Sequence, residues 1–309
     1  MPEVSTESRA VRAPGGDLTL SWAAVTHTGR RRDVNQDAVF AGFPLFVVAD
    51  GMGGHLGGEI ASASTIARLR AVVEEGTVTP QTIERALTRA VKDIASHPET
   101  TDDGTGTTLT GVFLDETADD PHWVTLNIGD SRVYLVREDQ IVQVTTDHSV
   151  VQELVAAGRL SPEEAENHPY GNVITRAVGP SEGVTPDYVR IDVADGDRFV
   201  ICSDGLTKEL TDYGIKHFLR ENVDPADAVR AMLDAALENG GRDNISIIVL
   251  DVETAEGVAA RAADEADEGD DAESDDDAAE ADESADAGEA AVAADDAATA
   301  ARPDDPAES

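Results

Sequence analysis

Residues 45–54 read Leu45-Phe46-Val47-Val48-Ala49-Asp50-Gly51-Met52-Gly53-Gly54, five apolar residues that run into a carboxylate and a glycine-rich turn. An apolar run without polar alternation has no solvent face, so the segment predicts a strand covered on both sides. The pattern recurs along the chain. Residues 124–128 lead to Gly129-Asp130 and residues 199–202 to Asp204-Gly205, while Asp243 stands just before residues 245–250 and Asp37 just before residues 38–41. Further strand-like segments lie at 18–25, 109–114 and 133–136.

Helical patterns separate these strands. Thr79 before Pro80 and Asp224 before Pro225 each pair a capping residue with proline at the first helical position, and the second helix should stop at Asn239, Gly240 and Gly241. A third helix is expected over residues 59–74, with Ile60, Ala63, Ala67 and Val73 among its apolar positions. Residues 145–179 loosen into short helical pieces, one opened by the capping box of Ser161, Pro162 and Glu164. Strands and helices interleave without regular alternation, and several connections are of hairpin length, which favours antiparallel sheets packed between helices.

A single aspartate next to glycine at a strand end is an ordinary turn former. Recurrence at several strand ends is a different signal. If these ends converge, they make an oxygen-only ligand cluster suited to hard divalent ions such as Mg²⁺ or Mn²⁺, and without cations such a cluster would repel itself. Two such ions a few ångströms apart acidify a shared water and clamp the oxygens of an in-line phosphoryl displacement. That points to phosphate hydrolysis.

Six short motifs stand in order between about residues 19 and 250: Arg32-Asp33-Val34-Asn35-Gln36-Asp37, Val48-Ala49-Asp50-Gly51-Met52-Gly53-Gly54, Gly104-Thr105-Gly106-Thr107-Thr108, Gly129-Asp130-Ser131-Arg132, Ser203-Asp204-Gly205 and Asp243-Asn244. Together they resemble the metal-dependent protein phosphatase family (PPM, type 2C), in its bacterial or archaeal serine/threonine-phosphatase form. The resemblance implies an α+β fold, a four-layer α-β-β-α sandwich of two central antiparallel sheets flanked by helices, with the metals at one edge. It implies direct attack on phosphoserine or phosphothreonine by hydroxide held on a binuclear Mn²⁺ or Mg²⁺ centre. By the same resemblance Asp50 bridges the two metals, the Gly51 carbonyl binds one, and Asp204 and Asp243 complete the other. Asp37 then lies beside the cluster as a metal and water residue, Asp130 joins Asp204 at a third, weaker metal, and Arg32 grips the substrate phosphate. Taken alone, Arg32 is also part of an exposed basic run with Arg30 and Arg31.

The chain departs from the family pattern at two positions. Gln36 stands where the family often has glutamate, and it can accept a hydrogen bond but contributes no charge. Met52 follows the Asp50-Gly51 pair where eukaryotic members carry a histidine that protonates the leaving group, which leaves the general acid unassigned. His55 is close enough in sequence for that task, and equally reads as a loop histidine. Cys202 sits inside an apolar strand and reads as a small buried hydrophobe.

Composition sets the outer limits. From Asp251 to Ser309 there are 23 acidic and two basic residues, −21 of the chain's net charge of −40, and almost no large apolar side chain. Such a segment buries too little to offset its ordering entropy, so residues 253–309 are expected to form a disordered acidic tail. The expected organisation is a flexible N-terminus over 1–17, a phosphatase domain over 18–252 with a flap-like insertion at 145–179, and the tail. The body still carries −19 and only three lysines, Lys92, Lys208 and Lys216. This argues against a nucleic-acid surface and resembles proteins of salt-adapted cells. One cysteine excludes a disulfide framework, and no apolar run reaches a membrane span, so a cytoplasmic chain without membrane partners is expected. No symmetric interface pattern is visible, and the expectation is a monomer acting on phosphoproteins made by a serine/threonine kinase. Two other readings remain: a catalytically inactive pseudophosphatase scaffold, or a regulatory phosphatase dedicated to one signalling protein. The insertion at 145–179 is where substrate selection is expected.

Overall fold

The structure, a computed structural model, describes residues 4–13, 16–53, 56–100, 104–117, 121–166, 168–179 and 185–261. Residues Met1–Ala263 make up one compact unit, and Asp264–Ser309 fall outside the described residues. The elements run β1 (Ser5–Ala13), β2 (Gly16–His27), β3 (Asp37–Gly42), β4 (Leu45–Met52), α1 (Gly57–Glu74), α2 (Pro80–Ser96), β5 (Gly106–Thr107), β6 (Leu109–Asp115), β7 (His122–Ile128), β8 (Arg132–Arg137) and β9 (Gln140–Gln143). They continue with α3 (Val150–Ala156), α4 (Pro162–Glu166), β10 (Asp187–Asp192), β11 (Arg198–Cys202), α5 (Asp204–Thr207), α6 (Asp212–Glu221), α7 (Pro225–Asn239) and β12 (Ile245–Thr254).

Two antiparallel sheets form the centre. One has the order β1-β2-β12-β11-β8-β9, the other β10-β7-β6-β4-β3 with β5 paired to β4. Side chains on a strand alternate between faces, and here each face has its own core. Phe46 and Val48 of β4 point with Ile248 and Leu250 of β12 into the core between the sheets. Their neighbours Leu45, Val47 and Ala49 pack under α1 and α2, while Ile245, Ile247 and Val249 pack under α6 and α7. This is the α-β-β-α sandwich expected from the sequence, and it explains why the strands are apolar without alternation. Each such fully buried aliphatic side chain stabilises the fold by about 1.5–3 kcal/mol relative to exposure.

Helix starts follow the sequence signals. Thr79 and Thr82 form a reciprocal capping box on α2, Asp224 accepts from the Ala226 amide at 2.7 Å on α7, and Ser161 and Glu164 cap α4 reciprocally. Among the described residues, regular structure reaches past both expected domain boundaries. The expected flexible N-terminus instead contributes β1, which pairs with β2 residue for residue from Ser5↔Ala24 to Ala13↔Gly16. The expected boundary at 252 also falls short. β12 runs to Thr254, residues 255–261 are helical, and Arg261 pairs with Asp195 at 2.7 Å and with Glu253 at 2.8 Å. The rest of the expected tail lies outside the described residues.

Candidate active site

The sandwich brings one end of each sheet together. The β3–β4 hairpin sets Asp37 directly opposite Asp50 in its ladder. Asp37 is buried, and its Oδ2 accepts from the hydroxyls of Ser203 at 2.8 Å and Ser246 at 2.7 Å. Its Oδ1 is buried without a hydrogen-bond donor. Burial pushes the Asp37 carboxyl up to about 7, against the two hydroxyls that favour its charged form. Asp50 is raised well above the usual carboxylate range, first by burial and then by the nearby charges of Asp37, Asp204, Asp130 and Asp243. Its strand position is fixed from both sides, since its amide donates to Thr108 Oγ1 at 3.0 Å and its carbonyl accepts from the Thr108 amide at 2.8 Å.

The other sheet contributes Asp204, at the start of α5 directly after β11, and Asp243, just before β12. Lys208 lies four residues beyond Asp204, and its ammonium stands 2.5 Å from Asp204 Oδ2 and 3.1 Å from Asp243 Oδ2. The Arg32 guanidinium, half exposed at the rim, reaches the same Asp243 oxygen at 2.9 Å. Asp204 is raised by burial, opposed by Lys208, and its Oδ1 has no donor. Asp130 sits where the chain crosses from β7 in one sheet to β8 in the other. Burial, with Asp204 and Asp147 adding repulsion, raises it to about 7.

Two glycines act through close approach. A side chain on Gly51 would meet the Gly58 carbonyl oxygen at 2.2 Å, and one on Gly205 would meet the Asn244 oxygen at 1.9 Å. These contacts press the start of α1 against the β4 turn and α5 against the Asp243 loop. The glycines beside Asp50 and Asp204 therefore serve backbone packing between elements, beyond the turn-forming role that the sequence suggested.

A cavity of about 310 Å³ opens here, and Arg32, Asp50, Gly51, Asp130, Asp204 and Asp243 all line it. Asp37 stands behind this wall. Gln36 and Met52 also line the cavity, as do Asn172 and Ile174 from the 145–179 segment, which closes on itself through the bridge Ser149↔Ile174 and joins the body through Thr107↔Val178. His55 lies outside the described residues. Of the groups that sequence reasoning missed, Lys208 carried a signal, since a cation four residues after an aspartate in a helix faces it. Ser246 carried none, because its contact with Asp37 spans 209 positions.

The donor set suits hard divalent cations. It consists of carboxylate and carbonyl oxygens, two of the buried carboxylate oxygens have no donor, and the one thiol, Cys202, is buried in β11 and pushed up to about 12. Among the described residues no three His, Cys, Asp or Glu side chains are already drawn around one ion-sized point. Instead a protein cation, Lys208, stands among the carboxylates. Charge compensation is what this cluster demands, since like charges this close, desolvated by burial, are otherwise held only by protonation.

The chain matches the protein phosphatase 2C family across residues 26–239. It is 37% identical over 239 residues to the serine/threonine protein phosphatase PstP of Mycobacterium tuberculosis, covering 76% of this chain and 45% of that protein. It is 34% identical over 243 residues to the protein phosphatase PhpP of Streptococcus pneumoniae, covering 75% of this chain and 97% of that one. Among solved structures, the catalytic domain of PstP in complex with two manganese ions superposes with a TM-score of 0.67 at 33% identity, covering 76% of this chain and 99% of that one.

Proposed function

The chain belongs to the protein phosphatase 2C family, and from that membership we propose that it hydrolyses phosphoserine and phosphothreonine in proteins. One observation carries the reading: carboxylates from two sheets converge on one cavity whose rim holds a half-exposed arginine. The chain spans 45% of the length of its mycobacterial relative.

In this reading Asp50, the Gly51 carbonyl, Asp204 and Asp243 would hold two Mn²⁺ or Mg²⁺ ions, with Asp37 beside them, and Asp130 with Asp204 would hold a third. The ions, when bound, supply Lewis acidity at the phosphoryl oxygens and lower the pKa of water at the site. Arg32 leaves Asp243 Oδ2 for the substrate phosphate, where its planar fork can bind two oxygens at once. Ser203 and Ser246 hold Asp37 Oδ2, which leaves its buried Oδ1 without a donor and able to accept a hydrogen bond from water at the site. Met52 has no ionisable proton for the departing serine or threonine oxygen. The substrates are products of a serine/threonine kinase, the 145–179 segment contributes to their selection through Asn172 and Ile174, and the protein acts as a cytoplasmic monomer. No helix among the described residues is long and apolar enough to cross a membrane.

The test is phosphate release from a phosphothreonine peptide, in low and in molar salt, with Mn²⁺, Mg²⁺ or chelator, beside Asp204→Ala. Metal-dependent release that is lost in the variant is the expected result. A folded protein that releases nothing under any condition would instead be a scaffold.

A further inference from the structure

Lys208 is one of three lysines in the chain, and it is the one that reaches the carboxylate cluster. Its ammonium bridges Asp204 and Asp243, and together with Arg32 it supplies the cations in contact with the cluster among the described residues. The bridge is tethered, because Lys208 is the C-cap residue of α5, the short helix that Asp204 begins. It is also partly desolvated, with 31% of the side chain exposed against 14% and 17% for its two partners. Both carboxylates are ones that the proposed function assigns to a divalent ion.

We infer that Lys208 is a built-in competitor for divalent cations, holding Asp204 and Asp243 in the ion-free protein and withdrawing when an ion binds there. The inference rests on the phosphatase reading only for the identity of the ligands. An ammonium and a divalent ion cannot both occupy the gap between these two carboxylates, since each would be repelled by the other at contact distance. Lysine suits the task because its compact charge rides on a flexible four-carbon stem, and Asp130 is close enough to feel that charge. The competition keeps the cluster folded without ions and sets a higher threshold for loading it.

Calorimetric titration with Mn²⁺ tests this on the full chain. Lys208→Met is expected to bind Mn²⁺ about tenfold more tightly or better, matching the loss of a charge-assisted contact that opposed the ion. The same variant should melt at a lower temperature in chelator and at an equal or higher temperature in Mn²⁺. Lys208→Arg, which keeps the charge, should stay close to the parent affinity. Unchanged or weaker Mn²⁺ binding in folded Lys208→Met would overturn the inference, as would equal tightening in Lys208→Arg. A second readout uses the scarcity of lysine: acetylation of Lys208 by a water-soluble ester, read by mass spectrometry against Lys92 and Lys216, should rise when Mg²⁺ is added. No rise would count against withdrawal. The titration needs no turnover, so a protein that binds Mn²⁺ but releases no phosphate defeats the phosphatase reading alone. One that hydrolyses phosphopeptide while Lys208→Met leaves affinity unchanged defeats the competition alone.

Discussion

Asp37 and Asp50 face each other across the β3–β4 ladder with no ion pair to either among the described residues, whereas Asp204 and Asp243 share the Lys208 ammonium and Asp243 also holds Arg32. Both pairs are largely buried, and all four residues are aspartate. In the hairpin pair burial pushes both carboxyls up and two serine hydroxyls hold Asp37, whereas the pair from the other sheet is held by side-chain cations. The difference shows two ways for one fold to hold surplus negative charge. A hairpin fixes two carboxylates rigidly and leaves them strained until a cation arrives. A helix start and a loop can instead recruit side chains that step aside.

The largest expected effect comes from breaking the rigid side. Asp50→Asn keeps the shape and hydrogen-bonding atoms of the hairpin but removes the charge at the centre of the cluster. It should lower metal-dependent phosphate release by more than about 100-fold, the upper end for loss of an outer-shell partner, while the protein melts in chelator at or above the parent temperature. An active Asp50→Asn enzyme would show that the hairpin pair is a structural feature. Arg32→Ala tests the mobile side and should cost about 10- to 100-fold in kcat/KM, as expected for a charge-assisted contact to phosphate. Tighter Mn²⁺ binding with kcat/KM otherwise unchanged would instead make Arg32 a counter-ion to Asp243.

How far the sequence revealed this contrast depends on how local each contact is. The hairpin was readable because Asp37 and Asp50 are separated by one short apolar return, and the apolar strands were readable because each of their faces meets a core. The edge strands β1 and β10 were not. β1 (STESRAVRA) and β10 (DYVRID) are polar and mostly exposed, and they are held by ladder bonds that leave no hydrophobic pattern. α6 also escaped, with only Ile215 and Leu219 buried in ten residues. The six motifs marked every carboxylate of the site but not their compensation. The Ser203–Ser246 clamp and the reach of Lys208 to Asp243 become visible only once β11 and β12 lie side by side, next to the hairpin of the other sheet.

A pH experiment separates the two sides further. The Asp37 carboxyl rises from 3.8 in an open chain to about 7 in the fold. Between those values the folded protein keeps a proton that the unfolded chain has released, so this group's contribution to stability is full below about pH 4 and is lost as pH rises through about 7. In chelator the melting temperature should therefore fall across this window. Asp37→Asn should make the fall shallower by several degrees, and added Mn²⁺ should remove it in the parent protein, because a bound cation favours the charged form. A slope that is equal in parent and variant would locate the proton elsewhere, with Asp50 and Asp130 the next groups to replace.

The smallest effect should come from the clamp between the two sides. Ser246→Ala removes a hydroxyl that donates to Asp37 Oδ2 at 2.7 Å and meets Thr26 Oγ1 at 2.8 Å, while Ser203 keeps its own bond to the same oxygen. One of two donors to a carboxylate is lost and no cavity larger than an oxygen is left, so the cost is about 1 kcal/mol, seen as a few-fold weaker Mn²⁺ binding. If Asp37 acts by holding a proton, the same change also moves the pH at which activity appears upward, because fewer hydroxyls favour its charged form. Weaker Mn²⁺ binding with an unmoved pH profile would make Asp37 a fixed counter-charge to the ions, and the hairpin would then differ from the other sheet only in rigidity.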